Sequence, residues 1–505
     1  MASVVSGAAL LGVDAVLVTV EVDLLRRLPA VAIVGMPSLS VKESADRVRS
    51  AMLAAGFEFP RQRVVVSLAP SDLRKEGSAF DLPIAIGILH AMRMVDTERV
   101  GRYLLVGELT LGGDLRVVRG AIAFACLARE AGFQGVIVPA GCGAEAALVQ
   151  GIEVRAAATL REVVDFLSGR GDLPRGAVPA AVPGPGGPDL ADVRGQWEAR
   201  EALEIAAAGG HNLLFEGPPG CGKTMLAARL PGILPRMSDR EALECTRIHS
   251  VAGLHPPESG LVQTRPFRAP HHSISPAGLI GGASLRPGEA SLAHNGVLFL
   301  DEFPEFPRHA REALRGPLED RVIVLARSAG RIIMPASFML VAAANPCPCG
   351  YLGHPTRPCL CPPPVRERYR SRLSGPLVDR IDLRVELGPV SPAELLSDRD
   401  GESSAAVRAR VGAAREVQQR RFGGRVRCNA EIPAERVTEW TSPCPEALGA
   451  LQRFMDQGAL SARVGRRLLK VARTIADIEG SDLVGVAHVN RAVGLRFDAE
   501  AAVAA

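Results

Sequence analysis

Gly217-Pro218-Pro219-Gly220-Cys221-Gly222-Lys223-Thr224 is the stretch on which the reading of this chain turns. It fits the pattern G-x-x-x-x-G-K-[ST], and its flanks agree: residues 212–215 are a short apolar run suited to a buried strand, and residues 225–230 open a helix. Strand, loop and helix in that order predict a phosphate-binding loop in an α/β core. Its main-chain N–H groups close on the phosphates, the helix start adds partial positive charge, Lys223 reaches the outer phosphates, and Thr224 supplies a Mg²⁺ ligand. Of the 59 basic residues only 4 are lysine. A chain that otherwise uses arginine keeps a compact ammonium where a phosphate accepts a point charge.

About 80 residues downstream, Gly296-Val297-Leu298-Phe299-Leu300-Asp301-Glu302 is an apolar run ending in two carboxylates. A buried parallel strand of this kind delivers Asp301 to the Mg²⁺ shell and Glu302 to the attacking water. Val341-Ala342-Ala343-Ala344-Asn345 is a second such strand, ending in an amide able to orient that water. These segments predict ATP and Mg²⁺ as cofactors, with Lys223, Asp301, Glu302 and Asn345 in the hydrolytic machinery and Thr224 and Asp301 on the metal.

Upstream, residues 1–167 alternate aliphatic strands (15–22, 30–34, 63–69, 103–106 and 135–138) with helices. One helix is expected to start at the cap Ser38, carry Val41, Ala45, Val48 and Met52 on its apolar face, and stop at Gly56. An α/β or α+β domain follows. Residues 168–188 are rich in Gly, Pro and Ala without periodicity, which predicts a linker. Residues 189–390 then form the nucleotide-binding core, and 391–505 a helical domain.

Composition narrows the class. The 505 residues suffice for about three domains, and 47% hydrophobic with 4% aromatic residues means aliphatic cores. A net charge of +4 does not by itself argue for nucleic acid, but between Val407 and Arg427 seven arginines face only Glu416, a local +6. No Lys or Arg precedes Arg26, and no apolar run approaches the ~18 residues of a membrane span. The expectation is a cytoplasmic protein without a membrane partner, whose 10 cysteines are thiols or metal ligands. Cys347, Cys349, Cys359 and Cys361, in the spacing C-x-C-x₉-C-x-C, are candidate ligands of a structural Zn²⁺; four protein ligands leave no open catalytic position.

With these segments in hand, the chain resembles the YifB/ComM family of magnesium-chelatase-like AAA+ ATPases over essentially its whole length. The likeness rests on the P-loop, on Ala269-Pro270-His271-His272-Ser273, on residues 292–302, on Asn345-Pro346-Cys347-Pro348-Cys349-Gly350, and on residues 375–383. It implies an N-terminal Lon-protease-like α+β domain, a central AAA+ core and a C-terminal helical lid. Residues 249–289 match the helix-2 insert of that clade. Residues 321–335 read as a hairpin, with Val322, Val324 and Leu325 on one arm, Ile332 and Ile333 on the other, and Ser328-Ala329-Gly330 at the tip. Arg327 and Arg331 flank the tip, and the resemblance makes this the pre-sensor-1 hairpin that enters a ring pore and meets DNA. By the same resemblance Asn345 is sensor 1, Arg380 the arginine finger for a neighbouring subunit, with Arg372 its rival, and Arg463 the sensor-2 arginine, with Arg466 and Arg467 close by. A finger in trans implies a homo-oligomeric ring, expected to be a hexamer.

The function so implied is an ATP-driven DNA motor, a helicase acting on single-stranded or branched DNA during recombination of incoming strands. One alternative is a magnesium-chelatase-like motor that inserts metal into a porphyrin, against which the fused N-terminal domain counts. Another is an ATP-dependent Lon-like protease. Ungapped matching to that pattern places Ala79 where the nucleophilic serine belongs and Ile122 where the lysine belongs; a one-residue shift recovers Ser78, but the nearby Arg119 cannot act as a base.

Overall fold

The structure is a computed structural model that describes residues 2–73, 75, 77–95, 97–179, 187–256, 258–282, 285–327, 330–354, 356–373, 375, 377–390, 401–456 and 461–496. Its centre is a five-stranded sheet in the order Phe267–Arg268, Val297–Leu300, Met339–Ala344, Leu213–Glu216, Leu383–Glu386, with every neighbouring pair parallel. The three inner strands are buried at every residue, as unbroken apolar runs require when both faces of a parallel sheet are covered. The register sets Glu216 opposite Ala344 and Leu300 opposite Ala342. Parallel strands share an edge, so Gly217, Asp301 and Asn345 leave the sheet side by side.

One face of this sheet shares a core with the helix Trp197–Gly209 and with the C-terminal helices Ser404–Phe422, Pro445–Asp456, Ala462–Ile478 and Val486–Gly494. Phe215, Val341 and Val385 meet Val411, Leu468 and Ala472 there. On the other face lie Phe303, Phe306 and the base of the hairpin. The expected hairpin forms, pairing Val322–Arg327 with Gly330–Pro335 in the register Val322 to Pro335 and Arg327 to Gly330, so that Gly330, expected at the tip, instead starts the second strand. The tip residues 328 and 329 lie outside the described residues.

Several elements differ from the expectation. Residues 3–11 were not anticipated as a strand, yet Ser3–Leu11 pairs with Asp14–Leu25 along its whole length around a turn in which Gly12 takes φ 68°. Their small side chains give a weak period-2 signal, and the pairing partner supplies the order. Glu153–Ala157, also unanticipated, closes a second parallel sheet with Tyr103–Leu105 and Gly135–Pro139. The expected helix after Ser38 is divided at Glu43 into Leu39–Lys42 and Ser44–Ala54, and Ser38 bonds the Ser40 hydroxyl instead of capping. Within the stretch expected as an insert, the helix Asp239–Ala252 runs past His249 to a left-handed Gly253, and Phe267–Arg268 belongs to the central sheet. The helix begins with a capping box between Ser238 and Glu241, which fixes its start more firmly than the composition around it.

Residues 168–179 are not a free tether. Ala156 N–H donates to the Pro174 carbonyl at 2.9 Å and Gly176 N–H to the Val154 carbonyl at 3.0 Å, extending the edge strand of the N-terminal domain. Residues 180–186 of the expected linker, 391–400 of the helical domain and Leu460 beside Arg463 lie outside the described residues.

The N-terminal domain is docked on the core. Val13, at the hairpin turn, is fully buried in a cluster with Ile332 and Met334, burial worth about 1.5–3 kcal/mol for such a side chain. Arg247 pairs with Asp14 at 2.7 Å, and the Ser250 hydroxyl donates to the buried Glu145 carboxylate. Among the described residues no helix is long and apolar enough to cross a membrane.

Candidate functional site

At the carboxyl edge of the sheet the loop residues 217–222 turn tightly. Gly217 N–H donates to the Ala344 carbonyl at 3.2 Å, and Gly222 takes φ 93° to enter the short helix Lys223–Ala227. Lys223 is 8% exposed, and its Nζ donates to the carbonyls of Gly217 (2.5 Å) and Pro218 (2.9 Å) and to Asn345 Oδ1 (3.1 Å). The lysine of the loop and the expected sensor-1 amide are therefore in contact. Thr224 Oγ1 donates to Asp301 Oδ2 at 2.7 Å, so the two expected Mg²⁺ ligands, 77 residues apart in the chain, face each other. A hydroxyl and a carboxylate at the end of a phosphate loop suit a hard divalent cation that keeps several waters.

Glu302 follows with φ 51° and ψ 42°, a left-handed conformation that costs a non-glycine residue on the order of 1–3 kcal/mol. Its N–H is held by Asp301 Oδ1 at 2.9 Å. The same carboxylate that faces Thr224 thus turns the next residue so that its side chain leaves the strand axis. His272 Nδ1 lies 3.2 Å from Glu302 Oε2, and the rings of His271 and His272 stand 4.0 Å apart. Sequence reasoning assigned His272 no role. Its only signal was the segment 269–273, which carries two adjacent histidines in a chain with 10.

Just beyond Asn345 the four cysteines converge. Cys347 Sγ is 3.4 Å from Cys349 Sγ and 3.6 Å from Cys359 Sγ, Cys349 and Cys359 are 3.6 Å apart, and all four sulfurs, Cys361 included, lie within 4.8 Å of one another. Tetrahedral Zn–S bonds of about 2.3 Å imply sulfur separations of about 3.8 Å. The donor set fits that ion. Gly350, with φ 82°, lies so close to the P-loop that a Cβ there would be 2.5 Å from Pro219 Cδ. Burial pushes the Tyr369 hydroxyl up to about 12, against a hydrogen bond with the Asn345 main chain.

The remaining arginine candidates are at the opposite edge of the sheet. Arg380 is 3% exposed and its Nη2 lies 2.5 Å from Glu319 Oε1; Arg463 reaches the same oxygen. Arg467 pairs with Asp382 at 2.7 Å and bonds the Arg380 carbonyl at 3.1 Å. Burial alone would raise the Asp382 carboxyl, but Arg467 and His211 hold it well below the usual carboxylate range. Arg463, Arg466, Arg467 and Lys470 line one cleft of about 520 Å³ with Glu319 and Asn212, where the strands begin. A four-residue strand spans ~13 Å, so none of these arginines is near its own P-loop. Arg372 is elsewhere, 3.1 Å from Glu305 in the loop after Glu302.

Of the hairpin pair, Arg331 is exposed on the second strand, and Arg327 ends the first, opposite Gly330 in register. Five of the seven arginines in the basic run 407–427 are engaged within the chain, while Arg420 and Arg425 are exposed. Arg408 donates to the Gly232 carbonyl, Arg410 binds Glu204 and Glu402, Arg415 bonds the Ala207 carbonyl, Arg421 binds Asp477, and Arg427 joins Glu431 to Asn295. In the N-terminal domain Ser78 donates to Glu108, Lys75 is fully buried with its Nζ on the Pro70 carbonyl, and Ile122 lies in the core.

Comparison with known proteins agrees with these observations. The family described as magnesium chelatase, subunit ChlI, matches residues 189–395, its C-terminal domain matches 401–496, and a further ChlI family matches 20–141. The chain is 45% identical over 498 residues to the uncharacterized protein YifB of Escherichia coli, covering 98% of this chain and 97% of that one. It is 44% identical over 502 residues to the competence protein ComM of Haemophilus influenzae, covering 98% and 97%. An uncharacterized Mycobacterium tuberculosis protein is 44% identical over 493 residues, covering 97% of each.

Proposed function

This chain belongs to the YifB/ComM family of magnesium-chelatase-like proteins, and we propose that it is an AAA+ ATPase whose ring, a hexamer, moves along DNA. The observation that carries the reading is the 2.7 Å contact between Thr224 and Asp301, with Glu302 turned out beside it. When bound, ATP and Mg²⁺ supply the phosphoanhydride and the charge that neutralises it. Lys223 and the loop N–H groups hold the phosphates, Thr224 and Asp301 hold the cation, Glu302 takes the proton of the attacking water, and Asn345 orients that water.

The arginines supply the reason for a ring. Arg380 and Arg463 lie at the strand starts, a strand length or more from the P-loop of their own chain, so a neighbour's nucleotide is the one they serve as finger and sensor 2. Glu319 holds both until that nucleotide arrives. A guanidinium there stabilises charge on the transferring phosphoryl oxygens.

DNA is the substrate because the hairpin carries Arg327 and Arg331 beside its tip. Two from each subunit gather at one pore, and such a cluster repels itself unless a polyanion passes through. The name of the Haemophilus influenzae relative, a competence protein, suits branch migration and unwinding during recombination of incoming DNA. The four cysteines hold a structural Zn²⁺. In the N-terminal domain the buried Ile122, at the position of a Lon-type lysine, supports a non-proteolytic role.

The test is the ATPase rate of the purified chain without DNA and with single-stranded, duplex and branched DNA. Stimulation by branched or single-stranded DNA is expected. A rate indifferent to every DNA, or stimulated instead by porphyrin, rejects the motor reading.

A further inference from the structure

We infer that the four-cysteine loop is a metal-dependent clamp on the nucleotide site: an ion held by Cys347, Cys349, Cys359 and Cys361 sets the positions of Asn345 and Pro219, so that metal loading controls ATP binding. The inference rests on reading residues 217–224 as an ATP site and the cysteines as Zn²⁺ ligands.

Three observations lead to it. First, Cys347 is fully buried and follows Asn345 by two residues, a tether of at most about 7 Å, and Asn345 Oδ1 accepts the Lys223 ammonium at 3.1 Å. Fixing the Cys347 sulfur therefore fixes the amide that holds the P-loop lysine. Second, the chain turns back at Gly350, whose N–H donates to the Cys347 carbonyl at 2.9 Å, and its main chain packs on the Pro219 ring with no room for a Cβ. The metal loop and the phosphate loop are thus in direct contact at a second point.

Third, apolar burial does little to order the loop, where Tyr351, His354, Thr356 and Arg357 hold one another only by short-range contacts. Among its described residues from 347 to 361 only Cys347 and Gly350 are buried, and Leu360 is 85% exposed. Ordering that much backbone with little apolar burial is unfavourable, and a tetrathiolate site adds to those local contacts a term that ties the two ends of the loop together, since metal binding by such a loop is also its folding. Loss of the ion then frees Asn345 and releases Pro219 together. The separations among the Cys347, Cys349 and Cys359 sulfurs, 3.4–3.6 Å, with Cys361 inside the same 4.8 Å group, are near the ~3.8 Å of thiolates around one ion and far from the ~2.05 Å of a bonded pair.

The experiment uses the full chain. Metal content is measured, the ion is removed with a chelator, the chelator is dialysed away, and binding of a fluorescent ATP analogue is titrated in fresh Mg²⁺ for loaded, stripped and reloaded protein. Reloading with Co²⁺ gives a tetrathiolate absorption band that reports the site independently of nucleotide. One equivalent of metal, nucleotide binding weakened about tenfold or more on stripping, and recovery on reloading are expected. Gly350→Ala should keep the Co²⁺ band and still bind the analogue about tenfold more weakly, because it breaks the contact with Pro219 alone. Cys359→Ser should lose the band; since that variant can fail to fold, the stripped and reloaded wild type carries the test. Metal bound but nucleotide affinity unchanged by stripping overturns the clamp and leaves the zinc site. Less than about a tenth of an equivalent, with no Co²⁺ band, overturns both. A loaded chain that binds no nucleotide overturns the ATP-site reading and the clamp with it.

Discussion

Arg380 ends on Glu319, Nη2 to Oε1 at 2.5 Å, with its side chain only 4% exposed. The guanidinium offered by sequence as a finger for a neighbour is held within its own subunit, at the sheet edge remote from its own P-loop. A site completed in trans predicts complementation. Arg380→Ala subunits bind ATP but lack a finger, and Lys223→Ala subunits keep the finger but lose ATP. Each alone should be inactive, and mixed rings should regain part of the ATPase rate. Verified mixed rings with no recovery contradict a shared site.

Glu302 is expected to act as the water-activating base. Glu302→Gln should bind ATP as the parent does and turn over at least ~10²-fold more slowly, the scale of removing a positioned base. Nucleotide titration and steady-state ATPase measured on the same preparation check this, and near-parental turnover rejects the assignment.

The hairpin arginines should govern DNA response and nothing upstream of it. Arg327→Ala/Arg331→Ala should leave basal ATPase and ring assembly as they are while DNA stimulation and strand movement disappear. Contacts to phosphates also predict affinity that depends little on sequence and falls steeply with salt, each lost contact reducing the log–log slope by about 0.7–0.9. A double variant that migrates branched DNA at the parental rate ends the pore-hairpin mechanism.

Acid stability should report Glu244. The hydrogen bond from His294, with Arg240 and Asn295 also facing it, holds this carboxyl down to about 2 against burial, which opposes the shift. Because the folded carboxyl titrates below the unfolded one, its contribution is full above the ordinary value of 4.5 and is lost as pH falls toward about 2. Glu244→Gln should therefore cost about 1.5–3 kcal/mol at pH 7, by urea unfolding, with the difference from the parent shrinking as pH falls through that window. A difference independent of pH would mean the residue acts by packing.

The sequence was most legible where function is short-ranged. Asp301, Glu302 and Asn345 sit one or two residues past an apolar strand and Thr224 follows its strand across the loop 217–222, and parallel strands whose ends align bring such positions together. The edge strand Phe267–Arg268 was hidden for the opposite reason: two residues carry no periodicity, and only the partner Val297 makes them a strand. His272 was equally hidden, because its contact with Glu302 depends on where a long connection returns.

What the chain determined alone, then, was the glycine-rich loop 217–224, the carboxylates Asp301 and Glu302, the amide Asn345 and the cysteine spacing, all set by patterns within a few residues. What the tertiary structure decided was the destination of the long cationic side chains. Seven arginines between Val407 and Arg427 read as a local +6, yet Arg410 pairs with Glu204 and Glu402, Arg421 with Asp477 and Arg427 with Glu431, while Arg420 and Arg425 stay exposed. Arg380 and Arg463, far apart in sequence, meet on one oxygen of Glu319. A guanidinium on a flexible stem takes whichever carboxylate or carbonyl packing brings within reach, and that acceptor comes from a distant segment whose arrival no local spacing records.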